Sequence, residues 1–276
     1  MSVINTNVKS IVAQNALAVN NRSLSKAMEQ LSTGKRINTA ADDAAGLAIT
    51  DRMTAQIRAL NQSIRNANDA VSMMQTAEGA TNEISNMLQR MRELAVQSAN
   101  DSYGATDRTA LQTENDQLKE EITRIANNTQ WNGMSVLNGN IGSAGVVTFQ
   151  VGTQGDATSS ITVEFKALDA TTLTVDGLQL DSNANAQAAI GKLDTAIQTV
   201  DTFRATLGAK INRMTSAADN LSNVSMNTSA SRSRIMDADY AQATTELARS
   251  QIIQQAATAM LAQANQQPQA VLSLLK

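Results

Sequence analysis

A chain of 276 residues is long enough for one large domain or two smaller ones, and its composition is lopsided, with 42% apolar residues, only 2% aromatics, one Pro and neither Cys nor His. Without His and Cys the commonest general base, the usual zinc ligands and the thiol nucleophile are missing, and a net charge of −3 provides no basic field for nucleic acid. No apolar run approaches the roughly 20 residues that cross a membrane, and the opening MSVINTNVKS lacks the basic-then-apolar pattern of a cleaved secretory signal.

The amino end is weakly amphipathic. Leu17, Leu24 and Leu31 recur every seven residues, behind Val3, Ile4, Val8, Ile11 and Val12. Next comes NTAADDAAGLAI, whose adjacent Asp42 and Asp43 have no third ligand at metal-binding spacing. The pair therefore reads as loop and helix-start chemistry.

From Met53 an apolar stripe runs Ile57, Leu60, Ile64, Ala67, Val71 and Met74. A second runs Ala70, Met73, Ala77, Ala80, Ile84, Met87, Met91 and Leu94. Spacings of three and four predict one long helix over about 51–100 with a coiled-coil-like seam. The Met residues belong to that seam as packing, and Arg52, Arg58, Arg65, Arg90 and Arg92 belong to the opposite, solvated or subunit-facing side. DSYGATD breaks the pattern, and Leu111, Leu118, Ile122 and Ile125 mark a shorter helix after it.

The middle differs. WNGMSVLNGN carries two Asn-Gly pairs, which favour turns. GNIGSAG has no Lys-Ser/Thr behind it and is a turn rather than a phosphate-binding loop. Val147, Phe149 and Val151 alternate with polar neighbours, as do Ile161, Val163 and Phe165, and the Gly-bearing loop between them predicts a β-hairpin. A little more extended chain is expected at Leu173–Leu180, and helix returns at DSNANAQ. A further seam runs Ile190, Leu193, Ile197, Val200, Leu207, Ile211, Met214, Ala218 and Leu221. The fold class is mainly α: a long antiparallel helical bundle or coiled coil with a small β-hairpin region near 146–166.

At the carboxyl end Leu247, Ile252, Ile253, Met260 and Leu261 lead into QPQAVLSLLK, with an apolar tip at Val271, Leu272, Leu274 and Leu275. Ordering costs about 1.5 kcal/mol per residue, which a lone helix rich in Ala, Asn and Gln recovers poorly. Both ends are therefore expected to be disordered in the isolated subunit and to fold against other copies.

Longer segments now bear a resemblance. INTNVKSIVAQNAL, LSTGKRINTAADDAAGLAI and LQRMRELAVQSAND in the amino half, and RSRIMDADYAQATTELARSQIIQQAATAMLAQANQQPQAVLSLLK at the carboxyl end, closely resemble the terminal regions of bacterial flagellins, in the same order. The likeness covers roughly the first 140 and last 90 residues. It implies a filament subunit with both termini helical and paired along the filament's channel. Residues 1–44 and 237–276 would be the halves of the inner core, and 45–236 an outer core bundle with its hairpin.

The resemblance also implies partners: further copies of the chain, a cytoplasmic export chaperone, and the filament cap and hook-junction proteins. Export would need no cleaved signal and would place the protein outside the cell, in the flagellar filament. No cofactor, metal, membrane or nucleic acid is implied. Leu17, Leu24, Leu31, Leu247, Ile253, Met260 and Leu261 would pack the terminal helices. Ile252, Leu261, Leu272 and Leu275 lie in the segment a chaperone would hold. LQRMRELAV resembles the patch sensed by Toll-like receptor 5 in many flagellins, placing Arg90, Leu94 and Glu114 in a receptor-facing and inter-subunit role.

The chain departs from the family's pattern between about Ala167 and Asn185, where large variable outer domains are absent, and at Trp131, where a Phe is expected. It reads as a short form. A hook–filament junction protein of the same superfamily is the alternative, and an unrelated helical adaptor a more distant one.

Overall fold

The structure, a computed structural model, describes the backbone of residues 6–273 and the side chains of residues 6–266. Of the expected apolar tips, Val3, Ile4, Leu274 and Leu275 lie outside the described residues, as do the side chains of Val271 and Leu272. In chain order the elements are α1 (Val8–Thr33), α2 (Ala44–Ser98), α3 (Ala105–Asn128), β1 (Gln130–Trp131), β2 (Met134–Ser135), β3 (Val146–Gln150), β4 (Ser160–Glu164), α4 (Asn183–Met236) and α5 (Tyr240–Ser273). They divide into two compact units, Arg58–Ser225 and the pair of segments Met1–Ile57 with Met226–Lys276.

The Arg58–Ser225 unit is a helical bundle with β-hairpins. Ala67, Ala70, Met74, Ala77, Ile84 and Met91 of the expected stripes are fully buried, as is Leu88 beside them, while Ile64, Val71, Ala80 and Met87 are half-buried. On α4 the buried apolar set is Ala186, Ala189, Leu193, Ala196, Val200, Phe203, Leu207 and Met214, spaced by three and four up to Leu207 and by a whole heptad to Met214. Hydrogen bonds give the direction of packing: Arg92 meets Asp194 at one end (2.6 Å) and Asn61 accepts from Ser225 Oγ at the other (3.0 Å). α4 therefore runs antiparallel to α2. Alanine at these seam positions allows close helix approach, so the core needs little aromatic bulk.

β1 and β2 form a hairpin with Trp131 opposite Met134, and β3 pairs antiparallel with β4 with Phe149 opposite Ile161. The first goes beyond the turn expected in WNGMSVLNGN, adding a two-residue ladder on either side of it. Asn132 and Gly133 have φ of 48° and 78°, the positive values that a two-residue hairpin turn demands and Asn-Gly supplies readily. The hairpins lie against helices: Ser63 Oγ donates to the Gly152 carbonyl (3.3 Å), Asn66 Nδ2 to Gln150 (3.0 Å) and Lys210 Nζ to Thr162 (2.8 Å). No strand forms across 173–180, where a little extended chain is expected; residues 171–174 and 176–177 are turns. The segment buries Leu173, Val175, Leu178 and Leu180.

In the other unit α1 and α5 pack together, joined to the first turns of α2 and the last of α4. Asn7 caps α1 by accepting from Ser10 N (3.1 Å), and Gly34 ends it at φ 69°, where a left-handed residue is required. Asp43 Oδ1 accepts from Gly46 N (2.8 Å) at the start of α2, and Asp239 does the same for Ala241 (2.9 Å) ahead of α5. Asp42 instead folds back. Its carboxylate meets Lys26 Nζ at 2.7 Å and accepts from the Thr39 and Asn38 backbone N–H groups. Lys26 first, then these two N–H groups, hold its pKa far below the usual carboxylate range.

The two connectors are stitched to each other. The backbones of Lys35 and Asp237 pair as an isolated antiparallel β-bridge, Arg36 donates to the Ile235 carbonyl (2.7 Å), and Ala238 N donates to the Gly34 carbonyl (3.0 Å). Arg232 also reaches Thr54 Oγ1 (3.4 Å). These bonds draw Ala44–Ile57 and 226–236 into the compact unit that holds α1 and α5.

Candidate assembly surface

The α1–α5 pair is built on two heptad lines. On α1 the line is Ser10, Ala13, Leu17, Asn20, Leu24, Ala27 and Leu31; on α5 it is Ala243, Leu247, Ser250, Gln254, Ala257, Leu261 and Ala264. All fourteen are buried or half-buried, Ser10, Asn20, Ala27, Ala243 and Ser250 most deeply. Alternating steps of three and four keep each line on one face. Polar bonds set the register. Asn7 Nδ2 donates to the Ala264 carbonyl (2.8 Å), Ser10 Oγ to Asn265 Oδ1 (3.0 Å), Asn20 Nδ2 to the Ser250 carbonyl (2.8 Å) and Gln254 Nε2 to Asn21 Oδ1 (3.2 Å). Rising numbers on α1 meet falling numbers on α5, so the pair is antiparallel.

Leu17, Leu24, Leu31, Leu247 and Leu261 sit on these lines, half-buried. Ile253 and Met260 do not. They fall one position off the α5 line, where Gln254 and Leu261 hold the seam, and are 41% and 66% exposed. Apolarity alone misplaces them, because small and polar residues occupy nine of the fourteen seam positions.

With Ile252, Val8, Val12 and Val19, they make an outward apolar face on the pair, while Ile11 and Met28 are also exposed but on other sides of α1. Part of it is a shallow cleft of about 520 Å³ between Val8, Val12 and Ala16 on one helix and Met260 and Ala264 on the other.

In the Arg58–Ser225 unit Arg90 donates to Glu114 Oε1 (2.8 Å) and to Glu93 Oε2 (3.0 Å), with all three side chains half or more open to solvent or nearly so. Glu114 first, then Glu93, raise the guanidinium pKa. Leu94 lies one turn from Arg90 but on the inner face and is 1% exposed. The folded unit leaves Arg90 and Glu114 open to solvent and buries Leu94, because the heptad phase that aligns Met91 with Leu94 points both into the core. Among the described residues no cluster of acidic side chains could hold a metal ion, and no helix is long and apolar enough to cross a membrane.

Comparison with known proteins agrees with this arrangement. The bacterial flagellin N-terminal helical region matches residues 4–141, and the bacterial flagellin C-terminal helical region matches residues 190–275. A flagellin of Halalkalibacterium halodurans is 44% identical over 274 residues, covering 99% of this chain and all of that protein. The polar flagellin F of Vibrio parahaemolyticus is 35% identical, with 99% of each chain covered. Its alignment spans 379 positions against 276 residues here, so the relative carries additional sequence, in keeping with a short form. Among solved structures, Bacillus cereus flagellin is 39% identical with a TM-score of 0.50, covering 57% of this chain and 88% of that one. A putative flagellar hook-associated protein of Vibrio parahaemolyticus shares the fold at 14% identity and a TM-score of 0.59, over 71% of this chain and all of that one. With two family regions at its two ends and full-length relatives above the level at which sequence alone shows kinship, the chain belongs to the bacterial flagellins, the structural subunits that polymerise into the flagellar filament.

Proposed function

We propose that the outward apolar face of the α1–α5 pair is the surface through which subunits of this short flagellin bind one another, and that the terminal helices become fully ordered there. The observation that carries this is the set Val8, Val12, Ile252 and Met260, each more than half exposed on paired helices. Burial of such side chains yields about 1.5–3 kcal/mol each, and the pair's own seam, mostly small or polar, leaves that gain for a neighbour. Purified protein added to short filament fragments should extend them into long filaments; failure to extend them would favour a hook–filament junction role instead.

The remaining partners follow from the family resemblance. A cytoplasmic chaperone would cover Ile252, Leu261 and the Leu272–Leu275 segment until export, keeping the apolar face from premature contact. Export through the flagellar apparatus would place the subunit outside the cell, between hook-junction proteins and cap. Toll-like receptor 5 would read the exposed Arg90–Glu114 pair, with Leu94 acting through the helix it anchors rather than by contact.

A further inference from the structure

Two Asn-Gly pairs occur in this chain, Asn132-Gly133 and Asn138-Gly139, and their surroundings differ. Asn-Gly is the dipeptide most open to cyclisation, since glycine offers no side chain to shield its backbone nitrogen from the preceding amide carbon. Asn132 and Gly133 are both exposed at the tip of the β1–β2 hairpin, whereas Asn138 and Gly139 are half-buried. Gly133 N–H lies outside the ladder, whose pairs are Gln130 with Ser135 and Trp131 with Met134. The space where a side chain on Gly133 would stand is empty to 4 Å, while at Gly139 the same position is 3.2 Å from Ala167 Cβ. The Asn138 amide oxygen is held by the Asn140 backbone N–H at 3.0 Å, and the Asn132 side chain makes no hydrogen bond among the described residues.

We propose that Asn132 is a site of spontaneous deamidation, at which the exposed hairpin tip converts to aspartate or isoaspartate while Asn138 is protected. The Gly133 nitrogen, its proton taken by hydroxide, attacks Asn132 Cγ and forms a new C–N bond. The bond to the side-chain nitrogen breaks and ammonia leaves, closing a succinimide. Water then adds to one of the two ring carbonyls. Opening at one side gives Asp; opening at the other gives isoaspartate, with the main chain rerouted through Cβ. The net change is amide plus water to carboxylic acid plus ammonia, with no oxidation.

Either product adds a negative charge to a chain of net charge −3. Isoaspartate also lengthens a two-residue turn whose register places Trp131 opposite Met134. Val136 and Leu137 remain buried just beyond, so the change is confined to the tip.

The test is incubation of the folded full-length protein at mildly alkaline pH, then chymotryptic digestion, which cuts after Leu137 and separates the two sites, and mass spectrometry of each peptide. Asn132 is expected to convert about fivefold faster than Asn138, the ratio one ordinary hydrogen bond commands, and the difference should vanish in urea. Asn132→Gln should abolish the mass change in its peptide. Equal or faster conversion of Asn138 in the folded protein, retention of Asn132 there, or a ratio that persists in urea would overturn the proposal.

Discussion

Asn20 and Ser250 are 230 positions apart in sequence, yet the Asn20 amide donates to the Ser250 carbonyl at 2.8 Å, with both residues almost fully buried. This bond fixes the register of the terminal helix pair, in the way a single buried Asn fixes a coiled coil. Asn20→Ala should lower the stability of the pair by about 1 kcal/mol, read as a lower dissociation temperature of assembled filaments. Asn20→Leu should restore stability but allow the helices to slip. Cross-linking between cysteines placed at positions 21 and 254, which are bonded in the native register, would detect the slip.

Gly46 stands in the first turn of α2, where an added Cβ would collide with the Asp43 carboxyl group and approach Ile37 Cδ1 to 2.7 Å. Asp43 is the residue that caps this helix, and Ile37 is 1% exposed. Gly46→Ala should therefore cost about 1–3 kcal/mol as an overpacked contact. Thermal unfolding followed by circular dichroism checks this, and an unchanged melting temperature would refute the close packing.

Asp42 sets a pH dependence. Its folded-state pKa is depressed by Lys26 and the Thr39 and Asn38 N–H groups, while the unfolded chain titrates near the ordinary value of about 3.9. The stabilisation is therefore fully present above that ordinary value and is lost as pH falls towards the lower folded value. Asp42→Asn should melt below the wild type at neutral pH, and the gap should close as acid protonates the carboxylate. A gap constant down to strongly acidic pH would contradict the assignment.

Arg90 and Leu94, one turn apart, should behave differently. Arg90→Ala removes exposed ion pairs with Glu114 and Glu93, which contribute little to folding in water, so the melting temperature should hold while reporter-cell signalling through Toll-like receptor 5 falls. Leu94→Ala opens a cavity in the core and should cost about 2–5 kcal/mol. Unchanged signalling from a folded Arg90→Ala monomer would exclude the pair as a receptor contact.

The central bundle is legible because large apolar residues carry its period. Met73, Ala77, Ile84, Met91 and Leu94 mark one α2 face unaided, and Val147, Phe149, Ile161 and Val163 mark the β3–β4 hairpin. Asn132-Gly133 announces a turn, but too few residues flank it to announce strands. The terminal seam is harder to read. Nine of its fourteen positions are small or polar, Ser10, Ala13, Asn20, Ala27, Ala243, Ser250, Gln254, Ala257 and Ala264, so the apolar Ile253 and Met260 beside it look like the packing face. The stitching of Arg36 to Ile235 leaves no local trace, since a side chain reaching a carbonyl 199 residues away obeys no short period.

The measurement that bears most directly on the account is electron microscopy of filament growth from short fragments, comparing the wild type with Ile252→Glu/Met260→Glu. Both residues are two-thirds exposed on α5 and off its seam, so the double variant should keep its helix content and melting temperature yet fail to extend the fragments, while the wild type grows long filaments. A double variant that extends them as readily as the wild type would contradict the assignment of this face to subunit contact.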